Sequence, residues 1–522
     1  MGREEEVTKE RLKKIEEMRK SGMNPYNYKF DKKDSSAGLK KEFEKLENEK
    51  FSRNASVAGR VMSIRDIGKI IFFVLQDKEG TIQIVLQEGK SDKKQIELFK
   101  KFADVGDILG VIGLVFKTKR GELSILIDEK GKLEILTKAV KPIPEQFYGL
   151  KDEEEKLRKR YLDIILNPEV RESFVKKSKF WQTIRNFLLE RDFLEIETPV
   201  LENCTGGAAA TPFSTHHNAL DRDVFLRISM GELWQKKLMV AGYEKTFEIG
   251  RQFRNEGMDM EHLQDYTQME FYWAYADYND GMKLVEEMYK KVAIEVLETL
   301  KFKTHGYEID LGKKWELYDY ESLIKNKTGI NIYKDDENKI KKKLDELGME
   351  YDRKVGKWRL VDILWKYCRK QLSGPGFLVN QPVEVAPLAK RNREDNKKVE
   401  QFQVILAGTE MGNGYSELND PIDQEERFVE QRKAKEAGDS ESMEHDTEYV
   451  EALRYGMPPT CGFGVSERFF SYLIDKPIRE CVIFPLMKPE AVHGDVISED
   501  IKIEKEIKEK SKSPAKENKK RR

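Results

Sequence analysis

Residues 409–419 contain the side chains that most clearly suggest a binding site. If this stretch is a strand, Asn413, Tyr415 and Glu417 point to one face, because side chains alternate along a strand. Glycines at positions 412 and 414 allow a ligand or another backbone to approach closely. A buried ammonium group carries three donors and a full charge, so it needs carboxylates around it. The stretch therefore predicts a pocket for a cation.

Two further stretches, 246–254 and 266–275, alternate as strands do and have one polar face each. If they pair as neighbouring antiparallel strands, their polar side chains share one floor. A polar face is costly to bury unless its groups are paired, so this floor is either a functional site or a solvent-facing surface with incidental ion pairs. The floor would carry Arg254, Glu256, Glu270 and Tyr272.

A third stretch, 456–468, is rich in glycine and runs into a segment with helical spacing. Glycines just before a helix bring backbone N–H groups close to a bound phosphate. The Gly-Phe-Gly at 462–464 is equally compatible with an ordinary turn. The stronger signal is Arg468, a cation directly after the glycines.

The composition limits the classes of protein that can carry these residues. The chain has 522 residues, which predicts about two to four domains, and its 36% of charged residues nearly cancel to a net charge of −1. A polyanionic partner would therefore need a local basic patch. The four cysteines lie far apart without a CxxC pair, which argues against a zinc site or a disulfide framework. The N-terminus has no signal-peptide core and no apolar run reaches about 20 residues, so we expect a cytoplasmic protein outside membranes.

The elements that must position the candidate residues fall into two regions. Short β-rich runs between 55 and 137, interrupted by a helix at 93–103, follow the order of an OB-type barrel, although SH3-like barrels look similar. After residue 166, helices at 171–190 and 281–300 mix at irregular spacing with strand candidates at 245–254, 266–275, 376–380, 401–409 and 412–418. This mixture favours an α+β fold over a regular βαβ arrangement.

Three motifs, taken in their order along the chain, resemble those of the class II aminoacyl-tRNA synthetases. Residues 193–199 look like motif 1, 253–256 like motif 2 and 462–468 like motif 3. With the preceding barrel they resemble subclass IIb, whose members charge aspartate, asparagine or lysine. Further stretches are similar to the lysine-specific members, in a eukaryotic-like cytosolic form, namely 22–26, 160–163, 206–208, 387–390 and 417–420.

The resemblance implies an α+β fold in which an OB-fold barrel precedes an antiparallel catalytic sheet flanked by helices. It also implies a homodimer through motif 1, around Pro199. The implied domains are an N-terminal helical extension at 1–50, an anticodon-binding OB fold at 51–142, a linker at 143–165, a catalytic domain at 166–495 and a disordered charged tail at 496–522.

The same resemblance implies a reaction and its residues. L-lysine would be activated by ATP, with Mg²⁺ as cofactor, and transferred to the 3′ end of tRNA(Lys). Lysine would be bound by Gly207, Glu232, Glu270, Tyr272, Asn413, Tyr415 and Glu417. ATP would be bound by Arg254, Glu256, His262, Tyr266, Glu410 and Arg468, of which the two arginines are catalytic. Mg²⁺ would be held by Glu410 and Gln403, and the anticodon by Arg65, Phe72, Gln83 and Glu122.

Four departures from the family pattern qualify these expectations. Gln403 stands where the family has a metal-binding Glu, which predicts a weaker or remodelled magnesium site. The segment 229–231 before Glu232 is one residue longer than the Ala-Pro that the family usually has there, and motif 3 is one residue shorter than the family pattern. Ile64 replaces an arginine of some relatives. The open alternatives are a synthetase for asparagine or aspartate, a catalytically silent RNA-binding paralogue and a lysine ligase that modifies a protein.

Overall fold

The computed structural model describes residues 3–144, 150, 152–204, 206–208, 210–257, 259, 261–353, 355–436 and 445–489. The chain divides into two compact units: the second is Leu157–Leu486, and the first comprises the described residues before Leu157 and after Leu486. The charged tail predicted at 496–522 lies outside the described residues.

The first unit is a closed barrel accompanied by three helices. Its helices are α1 (Arg3–Lys20), α2 (Ser36–Glu42) and α3 (Lys93–Phe102). Its strands are β1 (Phe51–Asp66), β2 (Ile70–Gln76), β3 (Thr81–Gln87), β4 (Ile108–Lys117), β5 (Leu123–Leu126) and β6 (Lys132–Thr137). The strand order is β1-β2-β3-β5-β4-β6, and pairing of β1 with β4 closes the barrel. The predicted order of three strands, a helix and further strands is confirmed.

The second unit is built on a large sheet with helices around it. Helix α4 (Glu153–Arg158) spans the division. The other helices are α5 (Arg160–Leu166), α6 (Pro168–Leu189), α7 (Glu232–Val240), α8 (Tyr278–Leu297), α9 (Tyr320–Thr328), α10 (Glu337–Glu346), α11 (Lys357–Arg369), α12 (Pro421–Glu436), α13 (Thr447–Arg454) and α14 (Arg468–Leu473), with 3-10 turns at Val383–Val385 and Ile478–Cys481. The strands are β7 (Leu194–Glu195), β8 (Leu201–Glu202), β9 (Ser214–His217), β10 (Arg222–Leu226), β11 (Lys245–Phe253), β12 (Asp265–Ala274), β13 (Lys301–Thr304), β14 (Tyr307–Asp310), β15 (Glu316–Asp319), β16 (Gly376–Val379), β17 (Gln401–Leu406), β18 (Thr409–Ser416) and β19 (Thr460–Ser466).

The large sheet has the order β15-β16-β17-β18-β19-β12-β11-β7. The strands from β16 to β11 pair antiparallel, as expected, whereas the two edge pairs, β15–β16 and β11–β7, are parallel. The sheet is therefore mixed at its edges. Helices α6 and α8 cover one face, where Phe180, Tyr289 and Phe463 belong to one buried core. The opposite face of the central strands is left for the polar side chains.

Two element boundaries differ from the predictions. The expected strand 401–409 is two strands, because Ala407 and Gly408 adopt positive φ and form a tight turn between β17 and β18. The glycines of motif 3 lie inside β19 and not in a turn before a helix. The turn interpretation of residues 462–464 is therefore wrong, and these glycines allow close approach across the sheet.

Candidate active site

A cavity of about 320 Å³ lies over the central strands of the second unit. It is lined by all the residues expected to bind lysine, namely Gly207, Glu232, Glu270, Tyr272, Asn413, Tyr415 and Glu417. Of the residues expected to bind ATP, it is lined by Arg254, Tyr266, Glu410 and Arg468. The cavity therefore combines an acidic set and a basic set of side chains within one site.

The register of the strands explains why these side chains converge. Glu270 pairs across the sheet with Gly464, and Gly464 pairs with Asn413 on its other side. In the neighbouring row of paired residues, Gly462 lies between Tyr272 and Tyr415. Directly opposite residues point to the same face, so both rows present their polar groups together.

Gly462 is required by the close approach of its neighbours. A Cβ atom at this position would lie 2.1 Å from Glu417 Oε1 and 2.7 Å from the ring of Tyr272. Any other residue would push the carboxylate of Glu417 out of the cavity. The glycine of motif 3 thus makes room for the acidic group that the first stretch supplies.

The acidic end of the cavity is organised by an internal cation. Glu232 Oε1 accepts a hydrogen bond from Lys236 Nζ at 2.7 Å and a short one from the hydroxyl of Tyr415. Lys236 Nζ also lies 2.6 Å from Glu417 Oε2. All three charged groups are buried, and Lys236 is fully enclosed. The carboxylates are therefore held in place by groups of the protein itself.

Glu270 is held by donors on both of its oxygens. Oε1 accepts from the backbone N–H of Met230 at 3.1 Å and from Gln268 Nε2 at 2.7 Å, and Oε2 accepts from the Tyr272 hydroxyl at 3.1 Å. Burial is the largest influence on this carboxyl group, and together with nearby Glu232 it raises the pKa of Glu270 to about 7. The charge of Glu270 therefore changes near neutral pH.

The extra residue before Glu232 is accommodated without displacing that side chain. Gly231 adopts a left-handed conformation with φ +66° at the start of α7. A Cβ atom on Gly231 would lie 2.2 Å from Thr198 Oγ1, so glycine is needed there. The turn directs the Met230 N–H to Glu270 and leaves Glu232 in the cavity lining.

The other end of the cavity carries the two arginines. Arg254 Nε donates to the carbonyl of Ile228 at 3.2 Å, and its guanidinium lies 5.9 Å from the ring centroid of Tyr266. Arg468 Nε donates to the carbonyl of Glu261 at 3.2 Å. Arg468 Nη1 also donates to the carbonyl of Glu410 at 3.5 Å. These bonds fix both guanidinium groups at the cavity, and guanidinium groups bind polyanions with two parallel bonds.

The shortened motif 3 keeps a regular strand. Strand β19 pairs continuously with β12 as far as Ser466, which lies opposite Gln268. Glu467 follows with a fully buried side chain that forms an ion pair with Lys177. This buried pair anchors the start of α14, so Arg468 lines the cavity although one residue of the motif is missing.

The expected metal ligands lie on the neighbouring strands β17 and β18. Burial raises the pKa of Glu410 despite Arg369 and Arg468, and Arg369 Nη1 lies 4.0 Å from Glu410 Oε2. Gln403 is outside the cavity lining, and its Oε1 is buried with no hydrogen-bond partner among the described residues. No group of three or more acidic, His or Cys side chains suited to a metal occurs in those residues. One carboxylate and one orphan amide oxygen fit a magnesium ion that takes most of its ligands from phosphates and water.

Two residues expected at the ATP site lie outside the cavity lining. The exposed carboxylate of Glu256 accepts from the backbone N–H of Thr211 at 3.4 Å. The exposed ring of His262 lies 2.8 Å from Asp259. Both sit on the loop between β11 and β12, and their roles stay a prediction.

The residues expected to hold the anticodon share one side of the barrel. Arg65 lies opposite Phe72 in the pairing of β1 with β2, and its guanidinium is 5.0 Å from the ring centroid. Phe73 is buried in the barrel core, so Phe72 faces outward as expected. Gln83 Nε2 donates to Ser124 Oγ at 2.8 Å, and Glu122 is exposed just before β5. An aromatic ring with adjacent polar groups is suited to stacking and edge recognition of a base.

Three residues that the sequence analysis missed support the cavity. Gln268 donates to Glu270, and Gln401 Nε2 donates to Asn413 Oδ1 at 2.8 Å. Lys236 pairs with Glu232 and Glu417. Alternation along 266–275 already placed Gln268 beside Glu270, whereas the Glu232–Lys236 spacing is that of an ordinary surface ion pair.

Known proteins are similar to this chain over nearly its whole length. The family described as "tRNA synthetases class II (D, K and N)" matches residues 152–488, and "OB-fold nucleic acid binding domain" matches residues 55–135. The lysine–tRNA ligase of Thermotoga maritima is 43% identical over 489 residues, which is 93% of this chain and 96% of that protein. The lysine–tRNA ligase of Fervidobacterium nodosum is 42% identical over 493 residues, which is 94% of this chain and 95% of that protein. That of Methanoculleus marisnigri is 41% identical over 490 residues, which is 92% of this chain and 94% of that protein. The second match confirms an OB-type barrel over an SH3-like one.

Proposed function

The chain belongs to the lysine–tRNA ligase family of the class II aminoacyl-tRNA synthetases, and on this premise we propose that it activates L-lysine with ATP and transfers it to tRNA(Lys). The observation that carries the proposal is the acidic end of the cavity, where Glu232, Glu270 and Glu417 are buried together. Such a set attracts the two ammonium groups of lysine and repels the side-chain carboxylate of aspartate.

Lysine-dependent exchange of pyrophosphate into ATP tests this function. We expect exchange with lysine, and none above background with aspartate or asparagine at the same concentration. Exchange that prefers asparagine, or no exchange with any amino acid, would contradict the proposal. Transfer to tRNA(Lys), followed as acid-precipitable lysine, then separates a complete synthetase from a protein that only forms the adenylate.

The mechanism needs no protein nucleophile. The lysine carboxylate attacks the α-phosphorus of ATP, which gives lysyl-adenylate and releases pyrophosphate. The 3′ hydroxyl of the terminal tRNA adenosine then attacks the lysyl carbonyl carbon, and AMP leaves with the electrons of the broken anhydride bond. Arg254 and Arg468 would neutralise the phosphate charge that develops, and Tyr266 would stack on adenine. The carboxylates would orient lysine, so catalysis comes from positioning and charge stabilisation. Glu410 and Gln403 would hold Mg²⁺, whose charge would neutralise the phosphate groups of ATP.

The pKa of Glu270 predicts a pH-dependent affinity for lysine. Binding of an ammonium group favours the ionised carboxyl group, so a carboxyl pKa of about 7 requires deprotonation before binding. We expect the KM for lysine to fall about tenfold between pH 6 and pH 8, as the ionised fraction rises from about a tenth to about nine-tenths. The KM for ATP, measured in parallel, is the control. A lysine KM that is flat over this range, or that rises, contradicts the prediction.

The barrel predicts that a substitution at its outer face weakens tRNA binding and leaves amino-acid activation unchanged. Phe72→Ala removes the expected stacking platform, worth about 1–3 kcal/mol per base, so the Kd for tRNA(Lys) should rise about 5–150-fold. Pyrophosphate exchange without tRNA should be unchanged. Phe51→Ala is the matched control, because Phe51 is a half-exposed aromatic of the same barrel that stacks on Phe116. Equal tRNA affinities of the two variants would exclude Phe72 from the interface.

The remaining proposals concern assembly and location. Motif 1 begins with β7 at the edge of the large sheet, where Leu194 is exposed, and Val200 and Leu201 directly after the motif are exposed too. Such a patch supports our proposal of a homodimer through this segment, which the mass in solution would test. No helix in the described parts of the chain is long and apolar enough to cross a membrane. Buried thiols at Cys368, Cys461 and Cys481 support a cytoplasmic location.

A further inference from the structure

Lys236 is a fully buried cation within the acidic end of the cavity. Its Nζ lies 2.7 Å from Glu232 Oε1 and 2.6 Å from Glu417 Oε2. The same atom lies 5.3 Å from the ring centroid of Tyr415 and 5.8 Å from that of Tyr449. A buried ammonium group is retained only where carboxylates and aromatic rings replace its water.

The groups around Lys236 come from every element packed against it. Helix α7 contributes Glu232, helix α13 contributes Tyr449, and the residues at the end of β18 contribute Tyr415 and Glu417. Strand β12 adds Glu270 and Tyr272. Beside the larger effect of burial, Glu270 raises the pKa of Glu417 and that of Tyr415. The arginines of the cavity lie at its other end, which is marked by Glu410. At about 3.3 Å per residue along a strand, Glu410 is roughly 20 Å from Glu417.

The charges at this end match the proposed substrate only if Lys236 is included. Glu232, Glu270 and Glu417 carry three negative charges when ionised, and Lys236 removes one of them. Two negative charges remain, which equals the two ammonium groups of lysine. Glu417 Oε2 lies 2.6 Å from Lys236 Nζ, while Glu417 Oε1 faces Gly462 on the cavity lining.

We propose that Lys236 is a positioning and specificity residue that fixes the charge of the lysine pocket, a role that rests on the proposed lysine ligase function. It holds Glu232 and Glu417 in place before the substrate arrives, and it opposes the rise in the pKa of Glu417 that burial causes. Without this cation, two or three carboxylates crowded in a buried site would take up protons instead of staying charged. The pocket would then bind a neutral side chain better and an ammonium group worse.

The test compares Lys236→Met with Lys237→Met in lysine-dependent pyrophosphate exchange between pH 6 and pH 8.5. Lys237 is the next residue, but its Nζ lies over the ring of Trp234 and 3.8 Å from Glu448, outside the lining of the lysine cavity. For Lys236→Met we expect a lysine KM at pH 7 that is at least about tenfold higher, and a KM–pH profile displaced upward by about one pH unit or more. The KM should approach the wild-type value at pH 8.5, and kcat should stay within about threefold. Lys237→Met should keep the wild-type profile.

A double-mutant cycle separates charge balance from a merely structural role. Glu232→Gln lowers the number of carboxylates, so Lys236→Met should displace the pH profile less in that background than in the wild type. If Lys236→Met does not fold, Lys236→Arg is measured instead and should keep the wild-type pH profile, because it keeps the charge. An unshifted profile in Lys236→Met, a shifted one in Lys236→Arg, or additive shifts in the cycle would overturn the inference. Wild-type activity with lysine tests the function itself, so the two failures are distinguishable.

Discussion

Replacing Arg254 with alanine is expected to lower kcat for lysine-dependent pyrophosphate exchange by about 10²–10³-fold. This is the size of effect that follows removal of one fixed donor aimed at charge that develops in a transition state. Arg254 lines the cavity, and its Nε bond to the Ile228 carbonyl fixes the guanidinium before ATP binds. A donor held in advance stabilises the transition state without reorganisation of the site.

Arg251→Ala provides the control for this prediction. Arg251 lies in β11, three residues before Arg254, but its side chain pairs with Asp265 at 2.7 Å and is half-exposed. Loss of a surface ion pair changes stability by at most about 1 kcal/mol, so its kcat should stay close to wild type. Steady-state exchange at saturating lysine and ATP measures both variants. Equal kcat values for the two variants would remove Arg254 from the catalytic role.

The part of the acidic end that β12 and β18 supply could be predicted from strand alternation, because its side chains lie on one face of each strand. Asn413, Tyr415 and Glu417 face one way in β18 and the residue after it, and Glu270 and Tyr272 do so in β12. Local sequence determines this pattern with a period of two residues. Which strands become neighbours depends on long-range pairing, so the place of β19 between β12 and β18 came only from the structure.

Lys236 could not be predicted because its environment is created by tertiary packing. In the sequence it stands four residues after Glu232, like many solvent-exposed ion pairs on helices. The sequence contains no signal that α13 and the end of β18 enclose the same ammonium group. A buried cation is recognised only when the elements that exclude water from it are known.

The ATP end was predicted less completely because part of it lies on a loop. Arg254 and Arg468 adjoin strands that fix their backbone, and both line the cavity. Glu256 and His262 lie on the connection between β11 and β12, and the side chains of these two residues are exposed. Loop positions are not set by strand periodicity, so the family resemblance named these residues but strand alternation could not predict their placement.

Glu417→Gln is expected to weaken lysine use more than any other single change at the acidic end. Glu417 is 1% exposed, and a Gln of the same shape keeps the space next to Gly462 but removes the charge. Truncating one partner of a buried charge pair costs about 3–4 kcal/mol, so kcat/KM for lysine should fall about 10²–10³-fold. The loss should appear in the lysine KM and not in kcat, because the side-chain ammonium lies far from the reacting carboxylate and binds equally in the ground and transition states.

The chemistry of the substrate side chain distinguishes this loss from general damage to the site. Norleucine has an apolar chain in place of the ammonium group, so wild-type discrimination between lysine and norleucine reports the charge of the pocket directly. In Glu417→Gln this discrimination should collapse, whereas the ATP KM should not change. Glu426→Gln, on the exposed surface of α12, should leave both constants unaltered. If Glu417→Gln retains wild-type discrimination, Glu417 does not recognise the ammonium group, and Glu232 and Glu270 alone must account for the specificity.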